Sequence, residues 1–237
     1  MLDLMRAHYE GVDAAGFEAD LNEKDRAVVL RRSGSIVGFS TLTELECNVR
    51  SIPVTAFFSG DTIVDASVRG DAALARTWGR AVFDDAARIR RVAPDRRVYW
   101  LLISAGYKTY RFLPLFFRRY QPAAGHSPDA FEDAVRHALA RSRYGERYDP
   151  ATGIVRLEHP TPLRSGVADV ADRPSDPHVA TFVRLNPCHT EGDELVCLTA
   201  LDHANLTRGG RRVLGLGPAP GDPVALHAGD AKGSSGA

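Results

Sequence analysis

The strongest chemical signal in this sequence is a tight turn at residues 69–71, which leads into a long amphipathic helix predicted over about residues 72–92. The first N–H groups of a helix have no partner inside the helix, and the helix dipole favours negative charge at that end. We therefore expect the backbone N–H groups of Ala72, Ala73 and Leu74 to bind an anion such as a phosphate.

Two glutamates lie on the same face of a strand that is predicted earlier in the chain. Residues 26–32 and 36–47 are predicted to form a hairpin around a Ser-Gly-Ser turn. Glu44 and Glu46 lie two residues apart in the second arm, so both side chains point to the same face. The next strand, residues 54–65, contains a Ser-Gly interruption that is typical of a bulge or a close backbone approach.

The composition is that of an ordinary globular protein. The chain has 237 residues, 44% hydrophobic and 25% charged, with a formal net charge of zero. The neutral charge gives no reason to expect nucleic acid or a membrane as a partner. Three cysteines, an odd number without metal-type spacing, favour a reduced, cytoplasmic setting and no bound metal.

The order of elements predicts an α/β fold with a central mixed, mostly antiparallel sheet and helices on both faces. The long helix is followed by a strand at 98–104 and a broken helix at 107–120, and two last strands are predicted at 179–185 and 195–201. We expect a single domain over residues 1–205 with an insertion at about 121–176. Residues 206–237, rich in Gly, Pro and Ala, are predicted to be a flexible tail.

Residues 61–78 resemble the strand–turn–helix motif of the GNAT family of N-acyltransferases. The run VYWLLIS at 98–104 is similar to the fifth strand of that family, and FFRRYQP at 116–122 is similar to a helix end that the family often writes FYxxxGFxP. The resemblance covers residues 1–120 and 179–201. Two positions depart from the family pattern, because Ala72 replaces a glycine and Leu74 stands where the family has a small residue.

The resemblance implies an N-acyltransferase that moves an acyl group from acetyl-CoA or another acyl-CoA to the amine of a small molecule, by direct attack in a ternary complex. It also implies that residues of the strand and turn bind the donor, namely Ile63, Val64, Arg69, Gly70, Ala72, Ala73 and Leu74. Phe58, Ser59 and Gly60 are candidates for lining or bonding the acyl group. No metal is expected.

Catalytic roles follow from the same resemblance. Glu44 and Glu46 are the candidate general bases, because the family arrangement sets that strand beside the acceptor. The position of the usual tyrosine acid holds Phe117, so Tyr110 is the candidate acid and Ser104 a candidate contact of the thioester. Asp61 and Asp65 are secondary base candidates, because an aspartate that flanks a turn usually has a structural role.

Two alternatives stay open at this point. One is a synthase that takes its acyl group from an acyl carrier protein, similar to acyl-homoserine-lactone or acyl-amino acid synthases. The other is a non-catalytic acyl-CoA-binding protein that kept the fold. The expected partners are a small-molecule amine and no nucleic acid or membrane, in a setting of specialised metabolism; a carrier protein and a homodimer are left open.

Overall fold

A computed structural model describes residues 1–68, 70–125, 128–173 and 175–216 of the chain. The strands, in chain order, are β1 (Arg26–Arg32), β2 (Ser35–Val49), β3 (Ile52–Ser59), β4 (Thr62–Val64), β5 (Arg97–Ser104), β6 (Tyr148–Asp149), β7 (Ile154–Val155) and β8 (Glu194–Ala200). The helices are α1 (Leu2–His8), α2 (Ala14–Asn22), α3 (Ala73–Val92), α4 (Tyr107–Tyr110), α5 (Phe112–Phe116), α6 (Ala130–Tyr144), α7 (Pro177–Leu185) and α8 (Arg208–Leu214).

The strands form one sheet in the order β1-β2-β3-β5-β8-β7-β6, with β4 attached to β2. The pair β3–β5 is parallel, and the other described pairs are antiparallel. The parallel pair follows from α3, which connects β3 and β4 to β5 and has the length that a crossover requires. The mixed, mostly antiparallel sheet predicted from the sequence is confirmed.

The centre of the sheet divides at Ser59. Up to that residue β3 lies beside β5, and the last pair is Ser59 with Leu102. The chain then bends through Gly60 and Asp61, and β4 pairs with β2, as β3 does, but not with β5; Ile63 of β4 lies opposite Phe39. The glycine interruption predicted in this strand is therefore the point at which two neighbouring strands diverge.

Both faces of the sheet are covered by helices. On one face, α3 buries a stripe that includes Trp78, Val82 and Ile89, as its sequence pattern predicted. On the other face, α6 buries Val135 and Leu139 against the sheet. Asp129 begins α6 by accepting the N–H groups of Phe131 and Glu132, each at 2.9 Å. The sheet centre is thus covered by helices on both sides.

One predicted strand is a helix. Residues 179–185 belong to α7, although their β-branched and aromatic residues suggested a strand. Asp176 accepts the N–H of His178 at 2.9 Å, and Pro177 occupies the first helical turn, where its missing N–H costs nothing. These start signals outweigh the strand propensity of a short segment.

A helix also lies within the predicted tail. Thr207 accepts the N–H of Gly210 at 2.8 Å and begins α8. Leu214, at the end of α8, is fully buried against Gly79 of α3, where a Cβ would come within 2.9 Å of the leucine side chain. Residues 217–237 lie outside the described part of the chain. None of the described helices is long and apolar enough to cross a bilayer.

Candidate active site

A groove of about 400 Å³ opens where β4 and β5 diverge. We call it the apolar groove. Its walls come from β4, from the start of α3 and from α4 and α5, and they include Ile63, Leu74, Trp78, Thr109, Phe112 and Phe116. Among the described strands β4 pairs with β2 alone, so the backbone groups along its other edge are free to bond an extended chain that carries amide groups.

The start of α3 forms the outer end of the apolar groove. Gly70 has φ +94°, a conformation that favours glycine, and it brings Asp71 round to the first turn of the helix. The Asp71 carboxylate accepts the N–H of Ala73 at 2.8 Å and lies 3.6 Å from the guanidinium of Arg76. A negative side chain therefore occupies part of the predicted anion site, and the N–H of Leu74 stays available beside it.

A second cavity, of about 490 Å³, lies on the other side of the break in the sheet. We call it the charged cavity. Helix α2 and the end of α6 contribute to its wall, and its lining includes Asp20, Lys24, Asp61, Arg143, Tyr144 and Glu194. The apolar groove has few charged groups, whereas acids and bases face each other in this cavity.

A narrow space of about 20 Å³ joins the two. We call it the junction. Tyr9 and Trp100 line both the junction and the apolar groove. Gly60 and Glu194 line both the junction and the charged cavity. Two molecules that entered from opposite sides would therefore meet at the junction, which Tyr9, Gly60 and Glu194 all line.

The two carboxyl groups beside the junction are strongly perturbed. Burial, followed by the nearby charges of Asp61 and Asp20, raises the pKa of Glu194 to about 8. Burial and Asp20 raise the pKa of Asp61 to about 6, although Lys24 acts in the opposite direction. Glu194 lies deep among protein atoms and keeps part of its surface open to the cavities. A carboxyl with a pKa near neutrality can both accept and return a proton.

Tyr9 and Ser59 give the junction its polar walls. Burial, with the nearby Glu194 and Asp61, raises the pKa of Tyr9, so its hydroxyl stays protonated and can donate a hydrogen bond. The Ser59 hydroxyl accepts from the indole nitrogens of Trp78 at 3.3 Å and Trp100 at 3.1 Å. These bonds fix both indoles, whose ring centroids are 4.4 Å apart, as a rigid wall of the groove.

The structure does not bring the predicted bases to this site. Glu44 and Glu46 share one face of β2, as predicted, but both are exposed and neither lines a cavity. The Glu46 carboxylate pairs with Arg96 and accepts a bond from Thr55. Both glutamates pair with residues of β3 that precede the divergence at Ser59, and this register keeps them away from the junction.

The predicted acid, Tyr110, and the predicted thioester contact, Ser104, also form hydrogen bonds away from this site. Tyr110 is fully buried, and its hydroxyl donates to the carbonyl of Pro122 at 2.8 Å. Ser104 is buried and donates to the carbonyl of Gly106 at 2.9 Å. Neither side chain lines the groove, the cavity or the junction.

The predicted donor-binding residues fall into three groups. Those that line the apolar groove are Ile63, Val64, Gly70, Ala72 and Leu74. Ala73 uses its N–H for the bond to Asp71. Arg69 lies outside the described residues.

Sequence reasoning missed two residues of the junction, because no site role was predicted for Tyr9 or Glu194. Asp61, which lines the charged cavity, was only a secondary base candidate. Glu194 stands directly before the apolar run at 195–201. Because that strand runs antiparallel to β5, its first residue lies at the end of β5 where the sheet divides. An acidic residue at the start of a buried strand was the available signal.

In the described ranges, no three His, Cys, Asp or Glu side chains are grouped so that they could hold a metal ion. The expectation of no metal stays a prediction.

No family model matches this chain, and no curated protein matches its sequence. Several solved structures are similar over part of it. A mutant of the AtaT toxin bound to the C-terminus of the antitoxin AtaR and acetyl-CoA is 17% identical, with a TM-score of 0.31, over 39% of this chain and 58% of that one. AtaT complexed with acetyl-methionyl-tRNAfMet is 14% identical, with a TM-score of 0.31, over 46% and 75%. The KacTA–DNA complex is 18% identical, with a TM-score of 0.29, over 44% and 71%.

This chain thus spans little more than half the length of the first of these proteins. At such similarity the alignments transfer no ligand, activity or partner to it. They do contradict the partner prediction made above, which named a small-molecule amine and excluded nucleic acid, because the similar proteins were solved with tRNA, DNA or an antitoxin. The exclusion rested on a net charge of zero, and that sum says nothing about local surface charge.

Proposed function

We propose that this protein is an acyltransferase that moves an acyl group from a thioester in the apolar groove to an amine in the charged cavity. The observation that supports the proposal is the meeting of the two spaces at one junction, which is lined both by a carboxyl group of raised pKa and by a tyrosine. A direct transfer needs this arrangement, since the two substrates have to touch without mixing elsewhere.

The donor suited to the groove is acyl-CoA. Its pantetheine arm is extended and carries two amides, which match the free edge of β4 beside an apolar wall. The nucleotide end would lie toward the start of α3, where the N–H of Leu74 can bond a phosphate. Asp71 opposes that contact unless its side chain turns away, because it brings a negative charge to the same helix end.

The transfer exchanges one bond for another at the acyl carbon. The amine nitrogen attacks the thioester carbonyl, a C–N bond forms, and the C–S bond breaks. Glu194 in its ionised form takes the proton that the amine loses. The carbonyl oxygen gains negative charge on the way, and the protonated hydroxyl of Tyr9 can donate a hydrogen bond to it.

Glu194 can also complete the cycle. The leaving thiolate belongs to a thiol with a pKa of about 8.5, close to the value of about 8 for Glu194. A proton can therefore pass from Glu194 to the thiolate with little change in free energy. One carboxyl group would then act first as base and then as acid, and the free enzyme is regenerated.

A second candidate differs in the donor. If the acyl group arrives on the pantetheine of an acyl carrier protein, no adenosine phosphates have to approach Asp71. The observation that favours this candidate is the bond between Asp71 and the N–H of Ala73, which fills part of the anion site.

The test is a thiol-release assay with the full chain and acetyl-CoA, octanoyl-CoA or acetylated carrier protein as donors. Aminoacylated tRNA, free peptides and simple amines serve as acceptors; tRNA is included because AtaT was solved with acetyl-methionyl-tRNAfMet. We expect acceptor-dependent release with at least one donor. Release with carrier protein alone would select the second candidate, and no release with any pair would refute both.

A further inference from the structure

We infer that Arg143 binds an anionic group, a carboxylate or a phosphate, that the acceptor holds close to its reactive amine. The inference rests on the proposed function, since it concerns the acceptor side of the same site. It defines the acceptor by its chemistry, as an amine that carries a negative group on a short spacer.

Arg143 lies near the end of α6 and lines the charged cavity. Its guanidinium is 4.3 Å from the centroid of the Phe58 ring and 5.7 Å from that of Tyr144. A guanidinium on an aromatic ring is held in one orientation, and the N–H groups along its edge stay available for an anion. Phe58 directly precedes Ser59 and Gly60, so this cation stands next to the junction.

The protein itself uses only part of the Arg143 guanidinium, which hydrogen-bonds with the hydroxyl of Tyr144. Its Nε atom is buried and has no hydrogen-bond partner among the described residues, and no carboxylate there forms an ion pair with it. A buried donor without a partner is costly, and an anion bound to the side of the guanidinium that faces the cavity would offset that cost. The other two cations of the cavity have partners, because Lys24 pairs with Asp20 at 2.5 Å and Arg147 donates to the carbonyl of Tyr144 at 3.4 Å.

Carboxyl groups line the same cavity. Asp61 and Glu194 lie beside Gly60, where a Cβ would come within 3.1 Å of the edge of the Phe58 ring and 3.4 Å of the Lys24 ammonium, which is paired with Asp20. The cavity thus has a cation over Phe58 and carboxyl groups at its edge. An acceptor with an amine and an anion on a short spacer satisfies both, whereas a plain amine satisfies one.

Binding of short probes without any donor tests the inference. The matched pairs are glycine with glycinamide and phosphoethanolamine with ethanolamine, measured by isothermal titration against the full chain. We expect the anionic member of at least one pair to bind at least about 10-fold more tightly than its neutral partner. The pair whose anionic and neutral members differ in affinity identifies the preferred anion as a carboxylate or as a phosphate.

The variant Arg143→Gln should weaken that anionic probe about 10- to 100-fold and leave the neutral one unchanged. Arg143→Lys should retain part of the discrimination, and it guards against a general loss of fold. The matched controls are Arg147→Gln in the same cavity and Arg141→Gln at an exposed position of α6, which should both bind as the wild type.

Equal binding of both members of each pair, undetectable binding of all four probes, or wild-type discrimination in Arg143→Gln would overturn the inference. Normal discrimination without thiol release would leave it standing and would refute the proposed acyl transfer instead.

Discussion

The apolar groove and the charged cavity arise from one break in the sheet, yet they recognise a ligand by different means. The groove presents the backbone edge of β4 and apolar side chains such as Ile63 and Trp78. The cavity presents Asp61, Glu194 and Arg143. Backbone recognition tolerates substitution because it depends on the strand and not on the residue, whereas recognition by charged side chains changes with each of them. We therefore expect donor binding to be robust and acceptor choice to be sensitive.

The largest expected effect comes from Glu194 on the charged side. Glu194→Gln removes the base and keeps the shape, so it should lower kcat/KM for acyl transfer about 10²- to 10⁴-fold while donor affinity stays unchanged. The wild-type rate should rise with pH through about 8, because the base works when ionised. Glu191→Gln, at an exposed position three residues earlier, is the control. An unchanged rate in Glu194→Gln would remove this residue from the mechanism.

The variant Ser59→Ala tests whether the hydrogen bonds between Ser59 and the two indoles stabilise the wall of the groove. Ser59→Ala leaves two buried indole N–H groups without an acceptor, and it should lower the free energy of unfolding by about 1–3 kcal/mol. Urea unfolding measures the change, and Ser142→Ala at an exposed helical position should stay within about 0.5 kcal/mol of the wild type. A loss equal to that of the control would mean that the two indole bonds contribute nothing.

The pH dependence of the protein's stability should also reveal the ionisation of the buried Glu194 carboxyl group. The folded state raises the pKa of Glu194 from 4.5 to about 8, so its contribution is fully present below about pH 4.5 and is lost as pH rises through 8. The Glu194→Gln variant has no carboxyl group to ionise at this position, so its stability does not change with pH through this residue. Its Tm relative to wild type should therefore increase between pH 5 and pH 9, by about 3 °C or more. Parallel melting curves across that range would contradict the raised pKa.

The smallest effect is expected at the outer end of the groove. Asp71→Asn removes a negative charge from the start of α3, and it should tighten CoA binding about 2- to 5-fold while pantetheine, which lacks the nucleotide, binds as before. Asp84→Asn, at an exposed position of the same helix, is the control. Equal gains for CoA and pantetheine would show that the change does not act through the phosphates.

The sheet and the apolar groove were largely predictable from the sequence, and the junction was not. The stripe of Trp78 and Val82 and the glycine interruption at Gly60 are local patterns, and each lies where it was predicted. Glu44 and Glu46 share a face as predicted, since alternation is local too. Whether that face meets a cavity depends on strand register and on what covers it, and neither can be deduced from alternation.

Glu194, Asp61 and Tyr9 are brought together from three distant parts of the chain. Their perturbation comes from shared burial and from mutual charge, which exist only in the folded structure. The helix at Pro177–Leu185 shows the opposite case, in which a local signal was present. The Asp-Pro pair at residues 176–177 is a helix start, and it predicted the element better than the β-branched residues that follow.

The wall of the apolar groove also has a consequence for protein synthesis. His8 and Tyr9 line the groove from the first helix, and Val213 lines it from α8, which is locked to α3 by the contact between Leu214 and Gly79. A nascent chain can form its sheet before α8 leaves the ribosome, but the groove is complete only afterwards. A product that stops before residue 208 would therefore lack the part of the wall that α8 contributes.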